Sequence, residues 1–188
     1  NEAPMIPYPA LFLDKVIHDG LVESCPRIEA MFADLLRSPA KSKYLPAMQQ
    51  KQRWLTHQLS AFYMMESESF DQGAHRAVRL LKTPRTIAPK MLLSEALAQY
   101  IASRGTARTI PQPMLLDLYD MNKPKRTPAD VRTFLRDLDQ RYKLVFLDNM
   151  RAILVFADTH ARQEAKAALA GKLNLDGPSE EQPKAVER

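Results

Sequence analysis

No stretch of this 188-residue chain is apolar for more than six consecutive residues, and that longest run, residues 152–157, has Arg151 and Asp158 at its ends. A membrane-spanning helix needs about 20 apolar residues, so none is expected. Each folded element must instead keep a polar side, and any core must be assembled from helical stripes and strand alternations. An apolar content of 45% against 26% charged residues suits a globular chain. The length allows one ordinary domain or two small ones.

The clearest stripe lies in residues 25–37, where Ile28, Met31, Phe32, Leu35 and Leu36 recur at helical spacing, with Ser24 placed as N-cap. Residues 8–22 read as a less regular helix before it, and residues 1–40 together as a helical brace. Ser38, Pro39 and residues 41–46 read as a loop. A second helical period covers residues 47–65. There Met48, Leu55, Leu59 and Phe62 share a side, while Arg53 and His57, four residues apart, fall together on the opposite, solvent-facing side. Residues 66–70 and 76–82 read as strands about a turn at 71–74, with Val78 and Leu80 alternating with Arg79 and Leu81. A helix over 94–104, with Leu97, Tyr100 and Ile101 apolar, stops at Gly105.

A new unit is expected from residue 109 to 175. It starts with a strand over 114–119 and a helix opened by Thr127, Pro128 and Asp130, with Val131, Phe134, Leu135 and Leu138 on one face. Strands over 143–147 and 151–157 follow, joined by a turn at Asp148 and Asn149, and then an alanine-rich helix over 159–169 stopped at Gly171. Strand, helix, hairpin, helix is the order of a split β-α-β sheet. Leu173 and Leu175 are the sole apolar candidates for a fourth strand, and residues 176–188 read as a disordered tail. The fold class is therefore α+β.

Charge is unevenly apportioned. Lys and Arg minus Asp and Glu gives −3 over residues 1–40 (3 against 6), +6 over 41–90 (9 against 3) and +2 over 91–188 (15 against 13). A basic segment of fifty residues points to a phosphate-rich partner. The single cysteine, Cys25, excludes an intramolecular disulfide and any cysteine-based zinc site, which implies a reducing compartment. The four histidines lack metal-ligand spacing, and no glycine-rich phosphate loop or nucleophile motif is present. Cys25, between Ser24 and Pro26, reads as the first turn of a helix rather than as a catalytic thiol, and a His57 and His75 acid–base pair is likewise set aside. No enzyme activity, cofactor or metal is expected. The chain, which begins at Asn1, is expected to be a piece of a longer protein.

Residues 44–86 read YLPAMQQKQRWLTHQLSAFYMMESESFDQGAHRAVRLLKTPRT. This text resembles the R-3-H domain, named for Arg-x-x-x-His, in the variety found near the carboxyl end of NFX-type zinc-finger proteins, including fungal FKBP-associated members. The resemblance implies a small sheet with helices on one side over residues 41–105. It also implies binding of single-stranded RNA or DNA through Arg53, His57, Arg76 and Lys82, with Ser67 and Ser69 matching the family's Ser-x-Ser strand. The Glu-Pro pair usual in the following turn is replaced by Gly73 and Ala74. Because a planar guanidinium grips phosphate bidentately and stacks on bases, Arg53 suits such a face. A surface pair would cost under about 0.5 kcal/mol on removal.

The second unit resembles an RNA-recognition motif by element order, but Asp117, Arg151 and Ile153 stand where that fold carries stacking aromatics. It is therefore expected to be structural or to dock a protein, with Arg151 solvated. The expected function is sequence-tolerant binding of single-stranded nucleic acid, or of exposed strands in a ribonucleoprotein, in the nucleus or cytoplasm, with no membrane partner. The alternative is a fragment that docks proteins of a regulatory or ubiquitin-linked complex.

Overall fold

A computed structural model describes residues 4–72 and 75–175. The turn at Gly73 and Ala74, the side chain of His75 and the expected tail at 176–188 lie outside the described residues. The chain divides into two compact units at Ile110 and Pro111. Residues 1–40 and 41–105 fall within the first of them.

The first unit contains α1 (Ala10–His18), α2 (Cys25–Arg37), β1 (Ser42–Tyr44), α3 (Gln50–Phe62), β2 (Glu66–Gln72), β3 (His75–Leu81) and α4 (Leu93–Ala102). Ser24 does not cap α2. It closes a 3-10 turn, Val22–Ser24, that leads directly into the helix, and its hydroxyl accepts from the Gln52 side-chain amide at 3.3 Å. The stripe of α2 is buried at Ile28, Met31, Phe32 and Leu35. Aromatic rings join the helices. Tyr8 and Phe12 pack on Phe62 with ring centroids 4.6 and 5.5 Å away, and Phe32 stacks on Tyr63 at 4.4 Å.

Glu29 interrupts the apolar stripe of α2 and is nonetheless only 3% exposed. Its carboxylate accepts from the Leu93 and Ser94 backbone N–H groups at 2.6 and 2.9 Å. Leu92, at the N-cap of α4, offers no side-chain acceptor of its own. Glu29 thus caps α4 from a distant part of the chain, where negative charge is also favoured by the helix dipole. Of the apolar residues of this helix, Leu97 and Tyr100 are buried and Ile101 is 47% exposed.

The segment read as a loop at 41–46 contains the strand β1, which pairs antiparallel with β3 through Ser42–Leu81, Lys43–Leu80 and Tyr44–Arg79. The sheet order is β1-β3-β2. Its two faces separate cleanly, because residues directly opposite one another share a face. One face carries the buried Val78 and Leu80 with their β2 partners Ser69 and Ser67. Helix α3 lies here, burying Leu55, Leu59 and Phe62. The other face carries Tyr44, Arg79 and Glu68 in one row and Ala77 with Phe70 in the next.

Helix α3 passes into β2 through a tight stop. Met65 N–H bonds back to Ser60 carbonyl and Met64 N–H to Ala61 carbonyl, which places Met64 at φ +53. This left-handed position normally favours glycine. Here the Met64 carbonyl is held by the Thr83 and Thr86 hydroxyls at 2.7 and 3.1 Å.

The second unit contains β4 (Leu115–Leu118), α5 (Pro128–Phe134), β5 (Tyr142–Phe146), β6 (Ala152–Phe156) and α6 (Thr159–Leu169). The expected capping box forms: Thr127 Oγ1 accepts from Asp130 N–H at 3.2 Å, and the Asp130 carboxylate accepts from Thr127 N–H at 2.9 Å. The helix is shorter than its apolar stripe, for it gives way after Phe134 to a 3-10 turn, Arg136–Leu138. The sheet is antiparallel with order β4-β6-β5. Leu116, Leu118, Ala152, Leu154 and Phe156 meet Val131, Leu135, Ala161, Ala165 and Leu169 in one core, so both helices cover the same face. The fourth strand reduces to one antiparallel bridge, Tyr119 to Asn174.

Replacing Glu29 with Ala is expected to strand two N–H groups at the buried start of α4 and to lower stability by about 2 to 4 kcal/mol. Urea unfolding measures this, and an unchanged midpoint would contradict the capping role.

Candidate nucleic-acid interface

The i, i+4 spacing of Arg53 and His57 does place them on one side of α3. That side is not the open solvent face that the periodicity predicts, for both side chains are half-buried. The reason lies in β2, which returns along α3 after the Met64 stop. His57 Nδ1 lies 2.8 Å from the Ser67 hydroxyl and Nε2 lies 3.1 Å from that of Ser69. Alternate residues of a strand face the same way, so a Ser-x-Ser strand presents two hydroxyls to one imidazole. A neutral ring satisfies both, donating from one nitrogen and accepting at the other. Ser60, one turn on, donates to the His57 carbonyl at 2.6 Å.

Arg53 turns back to the loop before the helix, where its Nη1 donates to the Met48 carbonyl. The Met48 N–H in turn reaches the Arg76 carbonyl at 3.4 Å. This places Arg53 one peptide unit from the backbone of Arg76, whose exposed guanidinium faces Asp71 at 3.7 Å. An ion pair this long and this exposed holds its partners weakly, so Arg76 remains available to an anion. Arg53 and His57 thus share one side of α3, and Met48 links Arg53 to the backbone of Arg76.

Lys82 follows the end of β3 remote from Arg76. Six residues along an extended chain place it about 20 Å from Arg76, and its ammonium donates to the Ser38 carbonyl. The residues that sequence reasoning left without a role are the Met48 carbonyl, which no side-chain pattern signals, and Thr83 and Thr86, which hold the turn that brings β2 under His57.

Burial, and next the nearby Arg53 charge, lower the pKa of His57 below its ordinary 6.5. The neutral ring is thus favoured, against the gain of charge that the sequence alone suggests. Cys25 is no nucleophile: burial and then Glu29 push its thiol up to about 12. Among the described residues, no group of three or more His, Cys, Asp or Glu side chains is placed to hold a metal ion.

The family model of the R-3-H domain matches residues 23–82. These residues form an R-3-H domain. The matched span takes in α2 as well as β1, α3, β2 and β3, and R-3-H domains bind single-stranded nucleic acid. No curated protein matches the chain. Within the R-3-H domain, the residues that give it its name are the pair bonded to Met48 and to the Ser-x-Ser strand.

The positions at which the second unit would carry stacking aromatics also come together. Asp117 pairs in register with Ile153, and Arg151 bonds to Asp117 at 3.2 Å while lying 5.0 Å over the Tyr119 ring. Arg151 is therefore not a solvated cation, as its sequence position suggests, but the counter-ion of Asp117. Ile153 and its β5 neighbour Val145 are fully buried.

His57 is expected to titrate below pH 6.5 in imidazole NMR spectra, and Arg53→Ala to move that titration upward. Because the unfolded chain takes up this proton first, the contribution of His57 to stability is complete above 6.5 and declines as the pH falls through it. A titration at or above 6.5 would contradict the buried, neutral ring.

Proposed function

We propose that this chain binds single-stranded nucleic acid with little sequence preference through the surface formed by α3, β2 and β3, with Arg53, His57 and Arg76 as its contacts. The observation that carries this reading is that Arg53 and His57, held by Met48 and by the Ser-x-Ser strand, share one side of α3 within the R-3-H domain, with Arg53 linked through Met48 to the Arg76 backbone. Arg76 offers a guanidinium fork to phosphate. Arg53 spends one donor on the Met48 carbonyl and retains others. His57 supplies a flat ring one helical turn from Arg53. Backbone charge dominates such binding, and base-edge readout would need groups this surface does not supply. Lys82, tied to Ser38, serves the sheet rather than the ligand.

The second unit acts as a recognition-motif-like module that contributes little to this affinity. Its strand order and its one-sided helices support the likeness. The ion pair of Asp117 with Arg151 and the buried Ile153 support a structural or protein-docking role. The likeness of residues 44–86 to NFX-type proteins supports a setting among nuclear or cytoplasmic ribonucleoproteins, with binding rather than catalysis as the activity.

Fluorescence anisotropy with single-stranded RNA and DNA across a salt series tests the reading. Binding is expected to weaken with salt at about −0.7 per neutralised phosphate, for roughly three or four phosphates. Arg53→Ala is expected to cost about 1.5 to 3 kcal/mol of binding, and Arg76→Ala to weaken binding as well. Arg132→Ala and Arg136→Ala, in the second unit, are expected to leave binding unchanged. Since Arg53 and His57 are bonded rather than solvated, each substitution is also expected to cost about 1 kcal/mol of stability, more than their spacing implies. Salt-independent binding, or loss only with the Arg132 and Arg136 variants, would contradict the assignment.

A further inference from the structure

The sheet of the first unit has a second face, turned away from α3, on which two aromatic rings stand exposed among charged side chains. Tyr44 on β1 and Phe70 on β2 extend over Ala77 of the central strand, and their ring centroids lie 5.1 Å apart at 64°. The small side chain of Ala77 lets rings from the two outer strands meet. The Arg79 guanidinium lies 5.2 Å above the Tyr44 ring, fixed there by the Ser42 hydroxyl at 3.2 Å and by Glu68 at 3.6 Å. Despite these contacts Tyr44 is 56% exposed and Phe70 36%.

We propose that Tyr44 and Phe70 form a base-stacking subsite for an unpaired base of a single-stranded nucleic acid, on the face of the R-3-H sheet opposite Arg53 and His57. The proposal rests on the reading of the domain as a nucleic-acid binder and adds a second contact to it. Three features select a nucleobase. Aromatic rings held rigid by a T-shaped contact and a pinned guanidinium lose little freedom on receiving another flat π-system. The Arg79 charge is already matched by Glu68, so the centre of the patch is close to neutral and accepts a base rather than a phosphate. The flanks are asymmetric: β2 carries Glu66 and Glu68 on this face, whereas β1 carries no carboxylate and is approached by Lys41, with Lys43 opposite Leu80 and so turned to the α3 side. A strand whose base sits on the rings therefore runs its phosphates along the β1 edge.

The full chain is titrated by anisotropy with a labelled single-stranded oligouridine and with an abasic strand of the same length, which keeps the phosphates and lacks the bases. Tyr44→Ala and Phe70→Ala are each expected to weaken oligouridine binding about tenfold and to leave the abasic strand unaffected. Tyr44→Leu, which keeps apolar bulk, is expected to behave as Tyr44→Ala, and Tyr44→Trp to restore binding. Arg53→Ala is expected to weaken both strands alike. If the Tyr44 and Phe70 variants bind oligouridine normally while Arg53→Ala does not, the subsite is wrong, the domain reading stands, and the face serves a polypeptide instead. Equal loss of both strands in Tyr44→Leu would also overturn the subsite. If the unaltered chain binds neither strand, both readings fall.

Discussion

The bond pair from His57 to Ser67 and Ser69 is the constraint on which the first unit's organisation turns. A three-stranded sheet gains a core only by covering one face, and α3 covers it with Leu55, Leu59 and Phe62. Apolar packing is tolerant of sliding and rotation. Two hydroxyls on alternate strand residues, met by the two nitrogens of one ring, are not. They fix the angle of α3 against β2 and, one turn earlier on the helix, the place of Arg53. The side chain that the R-3-H domain shares in its name is thus first a structural clasp. Its availability to a ligand is what remains at its exposed edge.

The same clasp sets an uncharged ring beside a charged guanidinium in the candidate interface. Burial and Arg53 favour the uncharged imidazole, so positive charge beside it rests on Arg53. With α3 taking one face, the opposite face is left to Tyr44, Phe70 and Arg79. The second unit arranges its sheet differently, with Asp117 closed by Arg151 and with Ile153 and Val145 buried. A surface of that kind has neither free charge nor free rings to offer.

Much of this was legible in the sequence, and the gaps have physical causes. The α2 helix matches its stripe at both ends because one face is apolar without interruption except at Glu29, and residues 159–169 match α6 for a similar reason. The α+β class and the R-3-H segment followed from pattern and motif. Strand β1 was missed because three residues, Ser42 to Tyr44, are too few to show alternation, and with it went the face that Tyr44 occupies. The periodicity predicts Arg53 and His57 to be solvent-facing because helical phase locates a side chain relative to its own helix only. A partner arriving through the left-handed Met64, where glycine is the usual signal, leaves no mark in that periodicity. Glu29 was hidden likewise, since a carboxylate on an apolar stripe is explained only by the uncapped helix it meets.

Amide and imidazole chemical-shift mapping of the full chain, on addition of a single-stranded oligonucleotide at low salt, tests the central claim most directly. The largest shifts are expected at residues 48–57, at Ser67 to Asp71 and at Arg76, with the His57 ring signals among them. Shifts confined to the strands around Asp117, Val145 and Ile153, with His57 unmoved, would contradict the account.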